Sequence, residues 1–188
     1  MTHKTLPDLD VKAATQAWLT SVIIEYNICP FAKRELERGS IYFSVNHDTK
    51  TEQCLLHLML ECDRLDTESG IETTLLIYPD AFAEFVDYLD FVEIAEALLI
   101  EQGYEGTYQL ASFHPDYCFQ DSDPDDAANY TNRSPYPMLH LLRETSIEQA
   151  VASHPDPESI PQHNIELTRK LGLAKMQALL AACYPVNP

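Results

Sequence analysis

Apolar side chains recur at helical spacing in several parts of the chain. The first of these patterns predicts a helix that ends near Cys29, because Pro30 disfavours helical geometry in the residue before it. Its members are Val11, Ala14, Trp18, Val22 and Tyr26. Further helices are predicted over residues 33–38, 51–65 and 81–102, and from Pro161 to about Cys183 with a break at Gly172.

Shorter apolar runs of strand length alternate with these helices. They are rich in β-branched and aromatic residues, a composition typical of strands. In the last run Met138, His140 and Leu142 share one face, because successive side chains of a strand point to opposite sides. The four predicted strands are Ile41–Val45, Thr73–Tyr78, Thr107–Phe113 and Met138–Arg143.

The alternation of strands and helices predicts a layered fold of the α+β or α/β class. We expect a single domain over residues 1–188, with a sheet of about four strands covered by helices. A chain of 188 residues fits one domain with a sizeable core. Residues 114–137 form a long loop between the last two strands. Because the loop contains several aromatic residues, we expect it to be folded and to border a functional site.

The balance of charge restricts the classes of partner. Twelve Lys and Arg stand against thirty Asp and Glu, which gives a formal net charge of -18. A surface this acidic repels the phosphates of nucleic acids and the headgroups of anionic lipids. We therefore expect neither a nucleic acid nor a membrane as partner, whereas a small anionic ligand or a protein partner remains open.

Cysteine usage and the absence of export signals indicate a cytoplasmic location. The five cysteines are an odd number without paired spacing, which is typical of free thiols in a reducing compartment. No apolar run reaches the roughly 18 residues that a membrane span needs. The N-terminus also lacks the basic start and apolar core of a signal peptide.

The densest group of chemically active side chains closes the long loop and opens the last strand. Arginine is matched in shape to carboxylates and phosphates, so Arg133 in the loop is a candidate ligand contact. Arg143 precedes Glu144 directly, which favours a structural ion pair with a nearby carboxylate. Pro135 and Pro137 stiffen the backbone around Tyr136. The candidate ligand-binding residues are Asn132, Arg133, Ser134, Tyr136 and Arg143.

Two histidines lie near the two ends of the long loop. His114 follows the third strand and His140 lies in the fourth, so antiparallel pairing of these strands would bring both rings to one edge of the sheet. Either imidazole is a candidate acid or base, and Asp116 is a candidate for orienting one of them through its second nitrogen. The alternative for each histidine is a structural side chain with satisfied hydrogen bonds.

Cys29 has a catalytic and a structural interpretation. The sequence Cys-Pro-Phe resembles redox motifs in which a thiol at a helix N-terminus has a lowered pKa, and Lys33 and Arg34 would favour a thiolate. Ala32 stands where such motifs have a second cysteine, and a helix rather than a strand precedes the motif. The structural alternative is a buried cysteine in a turn between two helices, where Pro30 fixes the backbone and Phe31 fills the core.

Familiar catalytic motifs are absent from the sequence. The chain contains only five glycines, and it has neither a P-loop nor a dinucleotide fingerprint nor the Gly-x-Ser-x-Gly elbow of serine hydrolases. The acidic segment 121–126 lacks the turn glycine and the closing glutamate of a calcium loop. The sequence therefore leaves the identity of any cofactor unknown.

Three separated segments resemble one bacterial protein family. They are Asn27–Lys33, Phe113–Tyr117 and Asn132–Glu144, and they occur in the expected order. The resemblance extends from about Val11 to Cys183 and identifies the chain as similar to the family catalogued as domain of unknown function 1415. It implies a single-domain cytoplasmic protein without an established activity, so it assigns no catalytic role to any residue.

Three functional hypotheses follow. The first is a small enzyme that acts on an anionic metabolite, with His114 or His140 as acid or base, Arg133 binding the anion and Cys29 as nucleophile. The second is a metal protein that uses Cys29, His114 and His140, with Asp116 or Cys118 as a further ligand. The third is a non-catalytic module whose acidic surface and aromatic loop bind a protein partner.

Overall fold

A mixed four-stranded sheet lies at the centre of the computed structural model, which describes residues 5–185. The strands are Ile41–Val45 (β1), Thr73–Ile77 (β2), Tyr108–Phe113 (β3) and Met138–Arg143 (β4). Their order in the sheet is β1-β2-β4-β3, with β1 parallel to β2 and β4 antiparallel to both of its neighbours. The predicted four-stranded sheet is confirmed, as is the α+β class.

Helices cover both faces of this sheet. The α-helices of the described residues are Asp8–Trp18 (α1), Ala32–Arg38 (α2), Thr51–Thr67 (α3), Phe85–Glu101 (α4), Glu144–Ser153 (α5), Ile160–Leu171 (α6) and Leu173–Ala181 (α7). α1 continues directly into a π-helical segment, Leu19–Ile24. Two short 3-10 helices occupy Ala127–Thr131 and Pro157–Ser159.

Alternation along the strands divides the core into two clusters. On one face Leu76, Leu139 and Leu141 pack against α3 and α4. On the other face Leu75 and Met138 pack against α1, its π-helical continuation and α7. Because strand side chains alternate between faces, neighbours in sequence such as Leu75 and Leu76 enter different clusters. The result is a three-layer domain with the sheet in the middle.

Two helix predictions differ from the structure. The fourth helix begins at Phe85 rather than at Ala81, because residues 79–84 form an irregular segment in which Phe82 has a positive φ of 55°. α5 was not predicted, although Ile147, Ala150 and Val151 have helical spacing. It begins immediately after β4, without the turn residues that usually mark a boundary.

The predicted long loop is a folded segment. Asn129 lies at its centre and is fully buried. The Asn129 side chain accepts from the amide of Phe119 at 3.1 Å and donates to the carbonyl of Asp123 at 2.9 Å. These bonds tie the two halves of the loop to each other, which explains why so many polar residues occur there.

The predictions made for the extreme ends of the chain fall partly on residues 1–4 and 186–188, which lie outside the described residues. Between residues 5 and 185, no helix combines the length and the apolar character that crossing a membrane requires.

Candidate functional site

A cavity of about 580 Å³ lies on the face of the sheet opposite α3 and α4. Its floor consists of side chains from the sheet, and its walls come from α1 with the π-helical segment, the Cys-Pro-Phe turn, α5 and α6. Most of the lining is apolar, with Trp18, Ile23, Phe113, Leu142 and Ile165 among the contributing residues. The polar residues of the lining are Cys29, Arg34, Glu35, Glu72, Thr73, Gln109, Thr131, Asn132, His140, Arg143, Ser146 and Asn164.

His140 is the imidazole on the floor of this cavity, and its neighbours fix its tautomer. The hydroxyl of Thr73 donates to the carbonyl of Leu141 at 2.6 Å. Its single hydrogen is thereby used, so the hydroxyl oxygen must accept from Nε2 of His140, which lies at 2.8 Å. In the neutral ring Nδ1 is consequently unprotonated, and it has no hydrogen-bond partner among residues 5–185.

Burial determines the charge of His140. Desolvation lowers the pKa of His140 to about 4, because the ring lies among apolar side chains that cannot stabilise an imidazolium. The ring is therefore neutral near pH 7. It offers one lone pair, on Nδ1, to the side of the sheet where the cavity lies.

Asn164 of α6 connects the cavity wall to the turn that carries Cys29. Its side-chain Nδ2 donates to the carbonyl of Ile28 at 2.8 Å, which identifies the other terminal atom as the oxygen. That oxygen, Oδ1, is buried and has no hydrogen-bond partner within residues 5–185. Asn164 thus fixes the position of the Cys29 turn against α6.

Cys29 lines the same cavity as His140, a relationship that the sequence left undetermined. Burial raises the pKa of the Cys29 thiol, although the backbone N–H groups of Phe31 and Ala32 act in the opposite direction. α2 begins only at Ala32, three residues after the thiol. Both observations favour a protonated thiol and the structural alternative for Cys29 over a thiolate at a helix N-terminus.

His114 lies in a different layer from His140. Its ring packs against Phe85 and Tyr88 of α4, with centroid distances of 5.2 and 5.1 Å. Nδ1 accepts from the backbone amide of Asp116 at 3.0 Å, so Nε2 carries the proton and donates to the carbonyl of Phe82 at 2.9 Å. β3 and β4 are antiparallel neighbours as expected, but the two imidazoles do not gather at one site.

The surroundings of His114 are those of a structural histidine. Its side chain is fully buried. Burial lowers the pKa of His114, against smaller contributions from the Phe82 carbonyl and the charges of Asp116 and Glu84. The exposed carboxylate of Asp116 does not hold the ring; its backbone amide does. Each nitrogen has a partner, so either one would have to give up its hydrogen bond before it could bind a ligand or a metal.

Arg133 fastens the long loop. Its guanidinium donates to the carbonyls of Tyr117 at 3.0 Å and Pro124 at 2.9 Å, and it stacks over the ring of Tyr130 at 4.7 Å. Its own carbonyl accepts from the indole of Trp18 at 2.9 Å. Arg133 does not belong to the cavity lining. These contacts give Arg133 a structural role in the loop, and the anion-binding role stays a prediction.

The neighbours of Arg133 in the motif also bond to the backbone. Asn132 donates to the carbonyl of Ser112 at 3.1 Å, and it is the member of this group that lines the cavity. The Ser134 hydroxyl donates to the carbonyl of Tyr136 at 2.7 Å. The Tyr136 hydroxyl is buried and has no partner in the described part of the chain, and desolvation raises its pKa.

Arg143 borders the cavity, but its guanidinium binds on the other side of the sheet. It donates to the carbonyls of Leu65 and Ile71 and to the hydroxyl of Tyr108. Leu65 belongs to the last turn of α3, where free carbonyls attract a cation. The ion pair with a carboxylate that the sequence indicated is not formed among the described residues.

The remaining charged residues of the lining are also engaged. Arg34 donates to Glu35 at 2.7 Å, and its side chain is 61% exposed. Burial would raise the pKa of Glu35, but the hydrogen bonds of Ser40 and Arg34 lower it, so this carboxylate is ionised. Glu72 accepts a hydrogen bond from Ser146. Among residues 5–185, no three His, Cys, Asp or Glu side chains are grouped so as to hold a metal ion.

Two residues that define the site were not predicted from the sequence. Thr73 opens the strand Thr-Thr-Leu-Leu-Ile, and Asn164 is one of many polar residues in α6. Neither belongs to one of the three motif segments. The sequence did contain one signal for Thr73. This threonine opens β2, and because strand side chains alternate between faces, it lies on the same face of the sheet as Leu75.

A family model described as "Protein of unknown function (DUF1415)" matches residues 10–178. Comparison with the curated proteins and with the solved structures gave no match.

Proposed function

The chain belongs to the family described as proteins of unknown function (DUF1415), and from the cavity we propose that it binds a small, mainly apolar molecule against His140. One observation carries this proposal: a neutral imidazole with a fixed tautomer and an unpaired Nδ1 lies in the floor of an apolar cavity. Small-molecule sites usually have volumes of roughly 300–1,000 Å³, apolar walls and a few oriented polar groups. The cavity meets all three criteria.

We propose the role of proton acceptor for His140 if the protein is an enzyme. An unprotonated Nδ1 accepts a hydrogen bond from a ligand, and the same atom acts as a general base when the ligand gives up a proton. For the nucleophilic role predicted for Cys29, the thiol proton has to pass to a base. His140 is the imidazole that lines the same cavity.

We also propose a cytoplasmic location and a partner other than nucleic acid. All five cysteines are free thiols, which fits a reducing compartment. The net charge of -18 opposes contact with a phosphate backbone.

A cavity-filling variant tests the proposal. Ala111 lies in the cavity floor and pairs with His140 on the neighbouring strand, so Ala111→Leu adds an isopropyl group of three carbons to the ligand volume. Ala97 is an exposed residue of α4 in the opposite layer, and Ala97→Leu is the matched control. A panel of apolar small molecules is then screened by thermal shift against all three proteins.

We expect some compounds to stabilise the wild type and Ala97→Leu while losing most of their effect on Ala111→Leu. Equal stabilisation of all three proteins, or no stabilisation by any compound, would contradict the proposed function.

A further inference from the structure

Resting on the proposed function, we propose that the ligand presents a hydrogen-bond donor, such as a hydroxyl or an amide N–H, to Nδ1 of His140 and carries no negative charge. This assigns a ligand class that differs from the anionic metabolite expected from the sequence. The inference follows from which polar atoms of the cavity are free and which already have partners.

The first step concerns the floor. Thr73 uses its only hydrogen on the carbonyl of Leu141, so His140 cannot exchange donor and acceptor roles with it. As long as the ring is neutral, Nδ1 is therefore an acceptor in every ligand complex that preserves these two bonds. A ligand group placed against it must supply the hydrogen.

The second step concerns the walls. Glu35 and Glu72 bring carboxylates to the lining, and both already accept hydrogen bonds from neighbouring side chains. Further negative charge beside these carboxylates is unfavourable, whereas a hydrogen-bond donor is compatible with them and with Nδ1.

The third step concerns the cations of the lining. Within the described part of the chain they are Arg34 and Arg143. Arg34 is paired with Glu35, and the guanidinium of Arg143 donates to backbone carbonyls beside α3. A carboxylate or phosphate buried in the cavity would lie beside hydrogen-bond acceptors, and neither arginine would be free to pair with it. Burial of such an unpaired charge is strongly unfavourable.

Three compounds with the same apolar body separate these effects: phenylbutanol, its methyl ether and phenylbutanoate. The ether keeps the shape and the oxygen of the alcohol but lacks the donor, whereas the carboxylate adds a negative charge. Trp18 lines the cavity and is the only tryptophan of the chain, so its fluorescence reports binding directly.

We expect the alcohol to bind about five-fold more tightly than the ether, the ratio that one net neutral hydrogen bond provides. The carboxylate should bind more weakly than the alcohol. Equal affinities for alcohol and ether, or a carboxylate that binds as tightly as the alcohol, would overturn the inference while leaving the proposed function intact. Failure of all three compounds to bind would contradict the proposed function and this inference with it.

Two variants connect the preference to His140. In His140→Phe the ring shape is retained without the acceptor, so alcohol and ether should bind equally. In Thr73→Val, whose side chain is nearly isosteric, the imidazole is free to carry its proton on Nδ1 and the preference for the alcohol should fall. Retention of the full preference in both variants would assign it to another group and overturn the inference.

Discussion

The hydroxyl of Thr73 lies 2.8 Å from Nε2 of His140 and donates its hydrogen to the carbonyl of Leu141. This one side chain, two residues along β2 from the residue that pairs with His140, determines which ring nitrogen is protonated. The unprotonated Nδ1 is therefore a fixed property of the sheet. The proposed function and the proposed ligand class both depend on it.

The pH dependence of stability should contain a contribution from His140. Its pKa is lowered by burial to about 4 from the usual 6.5. Between these two values the unfolded chain binds a proton that the folded protein does not, so the free energy of unfolding decreases as the pH falls. One such proton contributes a slope of at most about 1.4 kcal/mol per pH unit.

Replacement of His140 by Phe isolates this contribution. His57 and His114 also have lowered pKa values and remain in the variant, so only the difference between the two proteins reports on His140. Urea unfolding between pH 4 and pH 6.5 should show a shallower pH dependence for the variant. Parallel curves for the two proteins would show that His140 is protonated alike in the folded and unfolded states.

Loss of the Asn164 amide should loosen the turn that carries Cys29. In Asn164→Ala the carbonyl of Ile28 loses its donor, at a cost of about 1–2 kcal/mol in the free energy of unfolding. Alkylation of Cys29 in native buffer should become faster. Its rate is measured by peptide mass spectrometry. Gln162→Ala, an exposed change on the same helix, serves as control; unchanged alkylation of Cys29 in Asn164→Ala would mean that the turn is held by other contacts.

Arg133 should matter for stability and not for ligand affinity. Arg133→Ala removes two bonds to loop carbonyls, and we expect the free energy of unfolding to fall by about 1–3 kcal/mol. The affinity for phenylbutanol, measured by Trp18 fluorescence, should stay within two-fold or about 0.4 kcal/mol. Lys175→Ala is the control for removal of an exposed cation. A selective loss of affinity in Arg133→Ala would show that Arg133 contributes to the ligand site and would contradict a purely structural role.

The sheet was largely predictable from the sequence. β1 and β4 have the predicted bounds, because short runs of β-branched and aromatic residues are bordered by clear breaks. The same rule failed for α5, which follows β4 without a break, and for the start of α4, where the irregular segment at Phe82 has the composition of a helix.

The site was less predictable, because it depends on register and on remote partners. Phe113 pairs with Met138, and this register places His140 on the same face as Phe113 while the chain turns His114 toward α4. Nothing in the local sequence sets that register. The motif segments were correctly recognised as unusual, but Arg133 and Ser134 fasten the loop, whereas Cys29, Asn132 and His140 line the cavity.

The most direct test is a long-range proton–nitrogen NMR correlation of the imidazole of His140 at pH 7, recorded with and without phenylbutanol and assigned with His140→Phe. We predict the pattern of a neutral ring with the proton on Nε2, and a change in the Nδ1 resonance as the alcohol saturates the cavity. A ring protonated on Nδ1, or an Nδ1 resonance that does not respond to saturating alcohol, would contradict the account.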